Sequence, residues 1–189
     1  MRHAVPLELL TDRDHYEQVT KAVLEAEQSV GIATANLKEL MVEDPNVVPG
    51  RRRGRRGNFR SVLEVFAELA QRGIELRILH ASMPSRPFRK SFDAQPGLVA
   101  GALEMRMCPR VHLKTVVVDA RLAYLGSANW TGAGLGAKGE GRRNFEMGIL
   151  TSDEQVIDEV QARYDRIWRG AECRDCRLRQ ECEMPLDEM

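Results

Sequence analysis

The chain has 189 residues, 28 Lys and Arg against 28 Asp and Glu, and a formal net charge of zero. That is the length of one domain with a sizeable core, and the balance argues against a globally basic nucleic-acid binder. The charge is unevenly spread: residues 1–30 and residues 171–189 each hold 6 acids and 3 bases, which leaves a net +6 on the 140 residues between them. No apolar run approaches the ~20 residues that span a bilayer. Met1-Arg2-His3-Ala4-Val5-Pro6 runs into Glu8, Asp12 and Asp14 without the apolar stretch of a signal peptide, so a cytoplasmic location with reduced or metal-bound cysteines is expected.

In chain order, Tyr16, Val19, Val23 and Ala26 recur at helical spacing over 12–28, with Thr11 or Asp12 as the N-cap. A short strand follows over 29–36 around Val30 and Ile32, and residues 37–41 either continue it or begin a helical turn. Pro45, Pro49, Gly50, Gly54 and Gly57 mark 43–58 as a loop, within which Arg51, Arg52, Arg53, Arg55 and Arg56 fall in six positions. Arginine forks take phosphate bidentately, so this run fits a nucleic-acid backbone. An anionic membrane would attract it equally, and the bland reading is a solvated surface loop.

Residues 59–71 predict an amphipathic helix through Val62, Val65, Phe66 and Leu69, closed by Gly73. Residues 74–79 alternate as a strand. Strand, helix, strand in this order predicts a parallel α/β arrangement. Residues 81–100 interleave Arg86, Arg89 and Lys90 with Phe88 and Phe92. They suit either a single-strand platform, on which bases stack, or a short helix burying both rings. His80 ends an apolar strand and reads as a hydrogen-bonded core histidine, and residues 105–107 read as an edge strand.

The segment 112–146 carries the chemistry. Residues 111–118 read as a strand, placing His112 and Lys114 on one face. With Asp119 and Ala120 at the centre of a tight turn, Val118 faces Arg121, and a returning strand over 122–125 brings Ser127 and Asn129 beside His112. Asn144 and Glu146 again share a face. An imidazole can attack phosphorus and form a covalent intermediate. Lys114 and the Asn129 amide can hold non-bridging oxygens, while Glu146 can fix the tautomer of the imidazole. Asp119 falls out of line with these groups and reads as an Asx-type cap of the hairpin. The glycines of 132–136 allow close approach to a ligand, and Lys138, Arg142 and Arg143 add phosphate contacts.

His112-x-Lys114-x4-Asp119-x6-Gly126-Ser127-x-Asn129 resembles the HKD signature of the phospholipase D superfamily, notably its bacterial endonuclease-type members. Asn144-x-Glu146 resembles the distal pair that accompanies the signature, and the likeness extends over most of residues 12–169. It implies an α/β fold with a mixed sheet flanked by helices, and a metal-independent phosphodiesterase acting through a phosphohistidine at His112. Lys114 and Asn129 would bind phosphate, Ser127 would support the intermediate and Glu146 would orient the imidazole, with Asp119 and Asn144 structural. One copy of the signature, where the superfamily usually uses two, implies a homodimer with the site on its two-fold axis. Substrate stays open between nucleic acid and lipid. The arginine-rich loop and the absence of a signal or anchor favour DNA or RNA, with a lipid phosphodiesterase or a catalytically silent phosphate-binding module as alternatives.

Residues 153–168 predict a last helix, with Ser152 as N-cap, which closes a phosphodiesterase domain over 1–170. The remaining tail, 171–189, carries Cys173-x2-Cys176-x5-Cys182, and Cys108 is the fourth cysteine. Four thiolates fit a structural zinc or an iron–sulfur cluster, and free thiols are the alternative. The spacing resembles the cysteine staple of certain cluster-bearing nucleases, in which a distant cysteine supplies the fourth ligand.

Overall fold

The computed structural model describes residues 4–44 and 58–189; the arginine run 51–56 lies outside them. The frame is a seven-stranded mixed sheet, ordered β1-β9-β8-β7-β2-β5-β6. Its strands are β1 (Glu8–Thr11), β2 (Ser29–Thr34), β5 (Glu75–His80), β6 (Glu104–Met107), β7 (Thr115–Val118), β8 (Leu122–Gly126) and β9 (Met147–Thr151). β2, β5 and β6 run parallel, as the α/β reading of the first half requires. β7, β8, β9 and β1 form an antiparallel meander on the other side.

Alternation along the strands divides the core. Ile32, Ile78, Val116, Val118, Tyr124 and Leu150 face a cluster completed by Val62, Val65, Phe66 and Leu69 of α2 (Val62–Gln71) and by Phe88 of α3 (Arg86–Asp93). Val117 and Ala123 face the other way, onto Ile157 of α4 (Glu154–Trp168). Ala33, Leu79 and Val111 do the same against Tyr164, Trp168 and, from the tail, Leu186. Burying a side chain of this size stabilises by roughly 1.5–3 kcal/mol, so the tail residue Leu186, 3 % exposed, is part of the fold.

Element ends differ from the periodicity reading where a polar side chain caps earlier or later than the apolar pattern suggests. The first helix starts at a π-helical turn, His15–Thr20, continuing as α1 (Lys21–Leu24). Asp12 has φ +45° and Asp14 takes the N–H of Thr11, so neither Thr11 nor Asp12 caps that helix. Ser61 caps α2 through the N–H of Leu63, so Phe59–Ser61 is released as strand β4 and pairs with β3 (Met41–Glu43). Asp153, not Ser152, caps α4. Phe88 is fully buried and its ring stacks on Phe92 at 6.5 Å, so the helix reading of this segment holds over the single-strand platform. No helix among the described residues is long and apolar enough to cross a membrane.

Candidate active site

The hairpin that carries the signature turns one residue later than expected. Asp119 and Ala120 adopt φ +53° and +51°, Arg121 donates its N–H to the Val118 carbonyl, and Val118 pairs with Leu122 rather than Arg121. The shifted register sets Lys114 opposite Gly126, whose N–H reaches the Lys114 carbonyl at 3.1 Å. The strand itself begins at Thr115, so His112 and Lys114 lie on the irregular segment leading into it.

Asp119 does not cap its own turn. Its carboxylate accepts the backbone N–H groups of Glu27, Gln28 and Ser29 at 2.7–3.2 Å, tying the hairpin to the entry of β2. Partial burial raises its pKa, but these donors together with Arg121 outweigh that and hold it below the usual value.

Two side chains hold one carboxylate. Ser127 Oγ donates to Glu146 Oε2 at 2.5 Å and accepts the Met147 N–H at 3.1 Å, while Asn144 Nδ2 donates to Glu146 Oε1 at 3.0 Å. Lys114 is close enough to feel the same charge: burial pushes its pKa down and Glu146 pulls it back up. Its ammonium donates to the His112 carbonyl at 2.8 Å. The His112 ring is exposed. Each Glu146 oxygen is engaged once, by Ser127 or by Asn144, so Glu146 organises the hydroxyl and the amide; among the described residues of one chain no hydrogen bond joins it to the His112 ring, the contact the sequence reading expected.

Asn129 is fixed from the other side of the sheet. Its Oδ1 accepts the N–H groups of Ala35 and Asn36 at 3.1 and 3.0 Å, beyond the end of β2. The hydroxyl of Thr34, a residue 1 % exposed, accepts the backbone N–H of Trp130 at 2.9 Å, and the Trp130 ring is buried against Phe66. With its oxygen occupied, Asn129 presents the Nδ2 amide as a donor, the polarity that a phosphate oxygen requires.

Sequence reasoning overlooked the supports. Tyr124 lies beneath the turn with its hydroxyl 3.3 Å from the Ala128 N–H. Its pKa is pushed up to about 12, first by burial and also by Glu146. The ring fits because its neighbours are glycines: a Cβ at Gly126 would sit 2.2 Å from the Tyr124 hydroxyl, and one at Gly148 would sit 2.3 Å from the ring. A tyrosine flanked across the pair by two glycines was the available signal. Phe145, between Asn144 and Glu146, is 100 % exposed. Arg142 and Arg143 directly precede Asn144, with Arg142 exposed. Two of the glycines of 132–136 are required by packing. A Cβ at Gly134 would meet the Asn129 backbone oxygen at 2.6 Å, and one at Gly136 would meet the Asp12 carbonyl at 2.5 Å. His80 is a core histidine as expected, bonded to the Ser82 carbonyl at 3.0 Å, with burial lowering its pKa.

The chain is 35% identical over 107 residues to cardiolipin synthase A of Pseudomonas fluorescens and 24% identical over 107 residues to a mitochondrial cardiolipin hydrolase of Chlamydomonas reinhardtii. These matches cover 51% and 57% of this chain but only 20% and 45% of the two relatives. The fold is similar to that of the phospholipase D family member Nuc from Salmonella typhimurium, with a TM-score of 0.59 at 13% identity, over 88% of this chain and 95% of that one. The family model described as the cardiolipin synthase, PLD-like domain matches residues 55–168, a span that includes the whole of the signature. The chain therefore belongs to the phospholipase D superfamily.

Proposed function

We propose that this protein is a metal-independent phosphodiesterase that hydrolyses DNA or RNA as a homodimer. The observation that carries the choice of nucleic acid is the rim of the site. A wholly exposed phenyl ring at Phe145 stands between Asn144 and Glu146, directly after Arg142 and Arg143. An aromatic face beside cations is how single strands are held, by stacking and backbone contact.

In the reaction, His112 attacks phosphorus while Lys114 and the Asn129 amide hold the non-bridging oxygens as charge develops. The P–N bond forms as the P–O bond to the leaving nucleotide breaks, and His112 of a second copy gives that oxygen its proton. The same second imidazole then takes a proton from water, which attacks the phosphohistidine and restores the free ring. The Asn144–Glu146–Ser127 network keeps a negative charge near Lys114 and holds Ser127 beside the intermediate. One chain supplies a single such imidazole, so two copies facing across a two-fold axis make one complete site.

A lipid phosphodiester is the second reading. The relatives named for cardiolipin favour it, and the exposed Phe145 and Met147 would enter an acyl surface as readily as they would stack on a base. Both readings are tested with labelled single-stranded DNA and RNA and with cardiolipin liposomes, all in EDTA, comparing wild type with His112→Asn. Nucleic-acid cleavage that disappears in the variant is the expected result. Cleavage of cardiolipin alone transfers the assignment to lipid, and no cleavage of any substrate by folded dimer withdraws the enzyme assignment in favour of a phosphate-binding module.

A further inference from the structure

The tail is folded, and it brings all four cysteines of the chain to one place. Turns at Cys173, Cys176 and Arg179, each closed by a backbone hydrogen bond to the following residues, curl residues 170–182 back over the end of β6. The carbonyl of Ile167 and the carboxylates of Asp187 and Glu188 hold the two ends, the first through the Gly170 N–H and the others through Arg179. Cys108 continues β6, with its N–H on the His80 carbonyl at 2.8 Å. Cys108, Cys173, Cys176 and Cys182 thus line a single cavity of about 160 Å³, together with Arg110 and Arg179. All four are half-buried free thiols.

What occupies that space follows from its size and its lining. The four thiols are unpaired. A lone zinc needs four ligands at about 2.3 Å from one point. Among the described residues, no three His, Cys, Asp or Glu side chains converge on such a point. The cavity is far larger than the ~10–15 Å³ that one water needs, and four thiols stand around its wall. Ligation of a polynuclear centre by four cysteines has that form. Thiolates around an iron–sulfur core are anionic overall, and two cations, Arg110 and Arg179, stand on the wall among the cysteines.

We propose that Cys108, Cys173, Cys176 and Cys182 ligate an iron–sulfur cluster that staples the tail to the segment bearing His112. Cys108 precedes His112 by four residues, the Val111 N–H returns to the Cys108 carbonyl, and Val111 packs with Cys108, Cys173 and Leu186 in one apolar cluster. The cluster has a structural role, fixing the approach to β7 at the end opposite the Asp119 clamp. It is independent of which phosphodiester the enzyme cleaves.

The test is metal and sulfide analysis of wild type purified without oxygen from iron-replete cells, with anaerobic reconstitution by iron and sulfide as a second arm. Brown protein with about four iron and four acid-labile sulfide per chain is expected. Cys108→Ser and Cys182→Ser should each lose most of the iron and the visible absorption. Resonance Raman of wild type, which needs no variant to fold, should show iron–thiolate modes. Stoichiometric zinc without sulfide overturns the proposal, as does protein that stays colourless after reconstitution. Undiminished iron in Cys108→Ser overturns the four-cysteine assignment.

Discussion

Asp119 belongs to the signature, yet its carboxylate points at backbone, which makes its removal a sharp test of what that position does. Three N–H groups, from Glu27, Gln28 and Ser29, converge on it. Hydrogen bonds to a charged acceptor contribute about 1.5–3 kcal/mol each. The group is partly exposed and the three share two oxygens, so they do not add in full. Asp119→Ala should cost about 3–4 kcal/mol, including the strain of alanine at φ +53°, which at about 2–4 °C per kcal/mol lowers Tm by roughly 6–15 °C. Asp119→Asn keeps one acceptor oxygen and tolerates the left-handed backbone, so it should cost about 1–2 kcal/mol. The folded pKa lies below the unfolded value of about 3.9, so this stabilisation is present in full above that value. It is lost as pH falls through the folded pKa, and the gap between wild type and Asp119→Asn should close there. Thermal melts read the stability, and kcat/KM per folded molecule on the cleaved phosphodiester reads the chemistry. An Asp119→Ala protein with unchanged Tm and activity reduced by orders of magnitude would refute the clamp and move Asp119 to the substrate.

Gly148→Ala places a Cβ 2.3 Å from the Tyr124 ring, and so should destabilise by about 1–3 kcal/mol and disorder Ser127. Urea melts, together with activity measured below the melt, check it. Leu186→Ala removes a side chain packed against Val111 and Trp168 and should cost about 2–4 kcal/mol; limited proteolysis should then cut first in the tail. Lys114 should titrate below the ordinary lysine value of about 10.4. Because Glu146 works against that depression, Glu146→Gln should lower it further, as NMR of the labelled amine will show; a rise in the variant would contradict the assigned proximity.

Much of this architecture is legible in the sequence because burial is periodic. Val65, Phe66 and Leu69 mark the inward face of α2, and the alternation of Leu76 and Ile78 marks β5. The spacing of the signature residues is legible because chemistry fixes their types. The register of the hairpin is not, since one residue in the turn decides it, and Ala120 at φ +51° is not a residue that announces a left-handed backbone. That single residue moves Lys114 opposite Gly126. The support given by Thr34 to Trp130 spans 96 positions, and no local pattern connects them. Phe145 is hidden for the opposite reason: an aromatic residue is expected inside, and only the fold shows its ring in solvent.

The segment from Cys108 to Lys114 has no regular structure of its own, so its geometry must come from what it touches. Ahead of it, β7 is locked by the hairpin and by the Asp119 clamp. Behind it, Val111 and Leu113 rest on a cluster that includes Trp168 and the tail residue Leu186. The nucleophile at His112 is therefore held between two anchors that are separate in sequence and differ in chemistry, one a carboxylate on backbone amides and one an apolar contact next to four thiols. Loosening either should leave the sheet intact while widening the spread of His112 positions, and near-attack geometry is steep enough that about 1 Å of misplacement can cost about a hundredfold in rate. The Asp119 and Leu186 substitutions should accordingly lower kcat more than they raise KM. Their effects should add in stability, because the two anchors share no partner, while in rate the double substitution should cost less than the product of the singles, because both act through the one imidazole.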